Sequence, residues 1–245
     1  MPHSFSGPDA SASPLEVDGP QDLTGAILAR LRQAASLLLW EQEAVRVNAE
    51  EPFRLASGNF SPIYVDCRRV ISNRTFMRAF AAVAGMILER NDAEFDVVAG
   101  GETAGIPYAS FLAEALDRPL VYVRKKAKGY GTGSRVEGYL APGSKVLLVE
   151  DLITDGGSKL TFLDAIEEAG STVSSALVLF DRQQGGGAKL AERGVALYAV
   201  TDRKTAFAVA GASGLVSDNA RLSTDEYFRD PAAWHAKRGY AYEES

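Results

Sequence analysis

VLLVEDLITDGGSK, residues 146–159, begins as a buried strand and ends in the first turn of a helix. An unbroken apolar run closes on two acids, Glu150 and Asp151. Thr154, Asp155, two glycines and Ser158 follow, and then a helical pattern runs over 158–170 and stops at Gly170. A short apolar run bounded by turn residues is consistent with a strand covered on both faces. The neighbouring stretches repeat the alternation. FDVVAGG (95–101) reads as a strand, 103–116 as a helix with Pro107 near its start, and LVYVR (120–124) as a strand. Residues 125–138 are a glycine-rich basic loop, KVLLVE (145–150) a strand, TVSSALVLFD (172–181) another, and AKLAERG then VALYAV a short helix and strand. Alternating strands and helices with continuous apolar strands specify an α/β fold: a central, mainly parallel sheet flanked by helices.

Before this alternation the pattern is less regular. Residues 1–20 are rich in Ser, Pro, Gly, Ala and Asp and read as a disordered tail. A helix is expected from about residue 22, with Asp22 or Thr24 as its cap. FRLASGNFSPIYVDCR (53–68) reads as two short strands around a Ser57-Gly58-Asn59 turn, and 74–90 as a helix. No linker divides the chain after residue 21. From Ser223 onward the sequence reads as a surface extension over 223–245.

Composition removes several classes of function. The 245 residues carry a formal charge of −6, which gives no global support for binding nucleic acid or an anionic membrane. A single cysteine, Cys67, forbids an intrachain disulfide and fits a reducing, cytoplasmic setting. The two histidines, His3 and His235, lie near the termini, which argues against a histidine-rich metal site or a Ser-His-Asp triad. No apolar run reaches membrane-spanning length, and the N-terminal stretch lacks the pattern of a secretory signal.

Ligands of such sheets bind beyond the carboxyl ends of the strands. Those ends carry Glu102, Arg124 and Lys125, Glu150 and Asp151, and Asp181 and Arg182. The Thr154–Ser158 turn lies between a strand and a helix, where converging N–H groups and the helix dipole favour an anion. Its glycine spacing is neither a Walker A loop nor a dinucleotide fingerprint. Alone, Gly-Gly-Ser is more simply a helix cap. Two adjacent carboxylates just upstream change the balance, because a vicinal diol would donate a hydrogen bond to each. The 124–138 loop, with Arg124, Lys125, Lys126, Lys128 and Arg135, reads as a solvated basic loop, as a Lys/Arg-rich nucleic-acid patch, or, given its glycines, as a mobile arm that closes over an anion. Arg182 reads as a salt-bridge partner of Asp181, and Tyr64 as a core aromatic.

The stretch 146–159 resembles the phosphoribosyl-pyrophosphate signature of the type I phosphoribosyltransferases. FRLASGNFSPIYVDCR, YVRKKAKGYGTGSRVEG and LFDRQQGG resemble, in the same order, three segments of the family's orotate-using members. The match spans roughly residues 22–215. It implies the type I phosphoribosyltransferase fold, with an N-terminal hood of helix and short strands (about 21–70) on a core (about 71–222). It implies Mg²⁺-dependent transfer of 5-phosphoribose from phosphoribosyl pyrophosphate to orotate, giving orotidine 5′-phosphate for UMP synthesis.

Several roles follow from the same resemblance. Glu150 and Asp151 hold the ribose hydroxyls. Leu152, Ile153, Thr154, Asp155, Gly156, Gly157 and Ser158 surround the 5′-phosphate, with the Asp155 side chain turned outward. Arg124, Lys125 and Lys128 meet pyrophosphate, Lys128 being the main catalytic lysine. Arg182, Thr154, Tyr64 and Val65 meet orotate. Mg²⁺ is held by substrate and water, with no protein ligand set, and a homodimer shares the 124–138 loop. Ala56, Ala104 and Tyr130 depart from the family, where relatives carry lysine, lysine and histidine. Two rivals keep the same donor site: a purine- or uracil-using relative, and a non-catalytic sensor of phosphoribosyl pyrophosphate. The sensor would need a basic DNA-binding face.

Overall fold

The computed structural model describes residues 23–55, 57–127 and 134–243. Helix α1 (Leu23–Glu41) is followed by four short strands, β1 (Val45–Val47), β2 (Phe53–Arg54), β3 (Phe60–Ser61) and β4 (Ile63–Val65). β2 and β3 form the expected hairpin around the 57–59 turn. β1 pairs antiparallel with β4, a pairing that the sequence reading did not contain. Thr24 lies inside α1 rather than capping it, and Asp22 lies outside the described residues. Helix α2 (Arg74–Arg90) begins at Asn73, whose side chain accepts the Phe76 N–H at 3.0 Å, an N-cap of the usual kind.

The central sheet holds β5 (Val97–Gly101), β6 (Leu120–Val123), β7 (Val136–Glu137), β8 (Lys145–Ile153), β9 (Thr172–Asp181) and β10 (Ala196–Asp202), in the order β10-β9-β8-β5-β6-β7. All neighbours are parallel except β6 and β7. β7 lies at the end of the stretch read as loop. β8 runs three residues past its expected end at Glu150, so the acid pair sits within the strand. Polar side chains at those positions mimic a strand end in sequence, yet the backbone ladder to β9 continues to Ile153.

Strand alternation divides the core. Leu147 and Val149 face α2 and α3 (Gly105–Ala115), together with Phe80, Tyr108 and Leu112. Val146 and Leu148 face α4 (Gly157–Glu168) and α5 (Gly186–Glu192), with Phe162, Ile166 and Leu190. Burying both faces explains why β8 reads as an unbroken apolar run.

The C-terminal reading needs correction. α6 (Arg203–Ala212) is followed by α7 (Asp218–Arg229) and α8 (Pro231–Arg238). Ser223, Thr224, Tyr227, Trp234 and His235 are buried, so this segment is packed structure rather than an appended surface. Tyr240 stacks on Phe60 with ring centroids 4.3 Å apart. His235 Nε2 accepts the Phe60 N–H at 3.0 Å, which leaves Nδ1 to donate to the Pro231 carbonyl at 2.6 Å. Asn59 and Glu243 exchange two hydrogen bonds, 2.8 and 3.0 Å. The C-terminal helices thus tie down the hood hairpin. The mixed polar composition of 223–243 hid this, because a few large aromatics carry the burial.

Candidate functional site

At the carboxyl ends of β5, β6 and β8 lies a cavity of about 350 Å³. Glu150, Asp151 and Leu152 come from β8, Ser158, Lys159 and Phe162 from α4, and Glu102, Thr103 and Ala104 from the β5–α3 turn. Lys125 follows β6, and the hood contributes Val65, Asp66 and Arg68. The cavity therefore sits where an open α/β sheet offers its ligand site.

Glu150 and Asp151 are both buried. Glu150 Oε2 meets Lys159 Nζ at 3.2 Å, and these two side chains are 6% and 10% exposed. Burial pushes the Glu150 carboxyl up to about 7; Lys159 pulls it down and Asp151 pushes it further up. The other oxygen, Oε1, is buried with no hydrogen-bond partner. Gly101 makes room for it, since a Cβ there would overlap this carboxylate. The absence of a side chain on β5 is thus what lets an acid occupy the sheet interior.

The Thr154–Ser158 turn is braced from behind. Gly156 has φ +85°, a left-handed conformation that favours glycine. The Gly186 N–H donates to the Thr154 carbonyl at 3.0 Å, and the Arg182 N–H to the Ile153 carbonyl at 3.0 Å. Ser158 lines the cavity, whereas the Ile153 side chain is fully buried in the core and cannot reach a ligand there. Asp155 points at Lys189, 3.2 Å away, on the exposed side, and it also accepts the Gly157 N–H at 3.4 Å. Its carboxylate is turned outward but still occupies one backbone donor of the turn.

The basic residues divide. Lys125 lines the cavity, and its N–H donates to the Glu102 carboxylate at 2.8 Å. Arg124 is not on the cavity wall; its guanidinium pairs with Glu137 at 3.4 Å. Lys128, Tyr130 and Ala56 lie outside the described residues, as does the tail over 1–20. Ala104 lines the cavity without contributing charge.

Arg182 makes no salt bridge with Asp181. Its Nε and Nη2 are buried without a partner, and burial lowers its pKa. Tyr64 and Val65 lie on opposite faces of β4. Val65 lines the cavity, while the Tyr64 ring lies 5.2 Å from the Arg46 guanidinium and 5.7 Å from the Phe53 ring. Arg68, absent from the sequence reading, is held by Asp66 at 2.5 Å and keeps the Asp66 carboxyl below its usual range. Lys159 was also missed as a site residue, although it closes the opening stretch.

Among the described residues, no group of three or more His, Cys, Asp or Glu side chains is placed to hold a metal. The cavity offers carboxylate and hydroxyl oxygens and neither thiolate nor imidazole, which suits a hard, hydrated cation such as Mg²⁺. No helix of the described residues is long and apolar enough to cross a membrane.

The comparisons with known proteins converge. A family model described as a phosphoribosyl transferase domain matches residues 73–196. A Rhizobium meliloti protein named orotate phosphoribosyltransferase is 40% identical over 87% of this chain and 93% of its own length. Its namesake from Agrobacterium fabrum is 42% identical over 82% and 89%. Among solved structures, the orotate phosphoribosyltransferase of Aeropyrum pernix superposes with a TM-score of 0.64 at 34% identity, covering 74% of this chain and 99% of that one.

Proposed function

Because the chain belongs to the orotate phosphoribosyltransferase family, we infer that it transfers 5-phosphoribose from phosphoribosyl pyrophosphate to orotate. The products are orotidine 5′-phosphate and pyrophosphate, in pyrimidine nucleotide synthesis. The observation that carries this reading is the buried acid pair, Glu150 and Asp151, sharing one cavity with Ser158 at the end of the glycine turn.

The chemistry follows from charge placement. Glu150 and Asp151 accept the ribose 2′ and 3′ hydroxyls and oppose positive charge on the sugar as its C1′–pyrophosphate bond loosens. The backbone of 154–158 and the Thr154 and Ser158 hydroxyls take the 5′-phosphate, as a strand-to-helix turn is suited to do. Lys125 on the wall, with Arg124 and Lys128 on the adjoining loop, neutralises the leaving pyrophosphate. Bound Mg²⁺, held by substrate oxygens and water, would supply further positive charge to that group. Arg182 is assigned to the orotate carboxylate by the family resemblance, a match that arginine makes in bidentate fashion; its Nε and Nη2 are unpartnered but buried off the cavity wall, so they meet the base only after a local rearrangement. Val65 adjoins the base, while Tyr64 acts through the hood cluster it shares with Arg46 and Phe53.

In this reading the hood spans about 21–70 and the core about 71–222. Residues 223–243 serve the hood rather than trailing from the core. The enzyme works as a cytoplasmic homodimer whose 124–138 loops serve the neighbouring site.

An orotate-consumption assay with phosphoribosyl pyrophosphate and Mg²⁺, beside uracil, adenine and hypoxanthine, tests the assignment. Orotate alone should be turned over, and Lys128→Ala should abolish that turnover. Turnover of another base would reassign the chain to a related transferase. Tight donor binding with no turnover of any base would make it a sensor.

A further inference from the structure

We propose that Lys159 is a positioning residue for the transfer reaction: its buried ammonium keeps Glu150 ionised and fixed at the cavity wall to receive a ribose hydroxyl. The inference rests on the assignment of Glu150 to the ribose. Lys159 and Glu150 are nine positions apart in sequence, and the pair forms because the first turn of α4 folds back over the end of β8. Nζ lies 3.2 Å from Glu150 Oε2 and also donates to Ser158 Oγ at 3.3 Å. One side chain thus ties the acid to the turn beside it. Oε1 is left buried and without a partner in a residue that lines the cavity.

The surroundings oppose a charged Glu150. Phe162 from α4 packs at the same place, and Asp151 adds a like charge from the same strand. Glu102, Asp66, Arg68 and Lys125 line the cavity from the other elements. Arg68 is engaged by Asp66. Among the described residues, Lys159 is the cation within hydrogen-bonding distance of Glu150. A buried carboxylate deprived of its cation favours the neutral form. With Glu150 pushed up to about 7 even with the lysine present, the balance between acid and carboxylate falls near neutrality. A protonated Glu150 would lose charge opposing the developing sugar cation, so Lys159 should set the acid limb of the reaction.

The test compares Lys159→Gln and Lys159→Arg with the unsubstituted enzyme. The readouts are kcat/KM against pH and the Glu150 carboxyl titration, followed by ¹³C resonance and assigned with Glu150→Gln. The glutamine variant should move the acid limb up by at least about one pH unit, a loss of roughly tenfold on the acid side that narrows at alkaline pH. The arginine variant should stay near the parent. A folded glutamine variant whose limb is unmoved, or whose loss is the same at every pH, overturns the proposal. Should the glutamine variant not fold, the arginine variant decides, since a displaced limb with charge retained is equally fatal. Orotate turnover by the unsubstituted protein judges the functional reading separately, and the carboxyl titration needs no turnover at all.

Discussion

On the β8 side of the cavity Glu150 and Lys159 are almost wholly buried, whereas on the β6 side Arg124 and Glu137 keep 30% and 23% of their side chains exposed. Glu150 and Lys159 line the ligand cavity whereas Arg124 and Glu137 stand off its wall, and the surrounding medium differs too. The buried pair sits in low dielectric, where a misplaced or unpaired charge is severe. The partly exposed pair is softened by water and salt. The difference suggests a division of labour: the interior groups are preset for the sugar, while the outer cations can rearrange around pyrophosphate.

The hardest blow to the interior region should come from Gly101→Ala. The new methyl group would overlap the Glu150 carboxylate and crowd Phe162. Forcing the acid aside should lower kcat/KM by roughly 10²–10³-fold, as for other losses of transition-state electrostatics. A folded variant with near-normal steady-state kinetics would show that Glu150 need not stand where it does.

Next in size is the pH dependence of stability. The native Glu150 carboxyl titrates near 7, above its ordinary 4.5. Its neutral form is the better buried, so its contribution is complete below the unfolded value and is lost as pH rises through the folded one. Relative to Glu150→Gln, the parent should therefore lose on the order of 3 kcal/mol between those two pH values. Denaturant titrations at intervals across that window measure it. Parallel curves for the two proteins would mean that the pair is not buried in solution.

The smallest effect belongs to the outer region. Lys125→Ala should raise KM for phosphoribosyl pyrophosphate about tenfold at low salt, and the gap should shrink at high ionic strength because exposed charges are screened. A penalty independent of salt would place Lys125 with the interior groups and collapse the contrast.

How legible each region was in the sequence follows the same division. β9 and α2 were bounded correctly because their burial pattern is local. The end of β8 was not, since Glu150 and Asp151 look like a boundary while their backbone stays in the ladder. β1 and β7 are too short for a pattern of their own and exist only through their partners. The acid pair and the glycine turn stand out in the residues themselves, whereas a role for Lys125 came only from the family resemblance. Lys159 stands beside Ser158 in the sequence and was given no role there, because that role appears only when α4 packs on β8. Arg182 was read against Asp181, its neighbour in sequence, and the fold leaves it unpaired instead.

The hydrogen bonds that join Asn59 to Glu243 link positions separated by 184 residues, and the one from Phe60 to His235 spans 175. During synthesis the hood hairpin leaves the ribosome early and its partners leave late. The sheet can assemble in order as it is made, but the hood stays unlatched until Glu243 is free. Distant closures of this kind slow the final step of assembly, so a chain halted in its last helix should be a folded core with an open, protease-sensitive front.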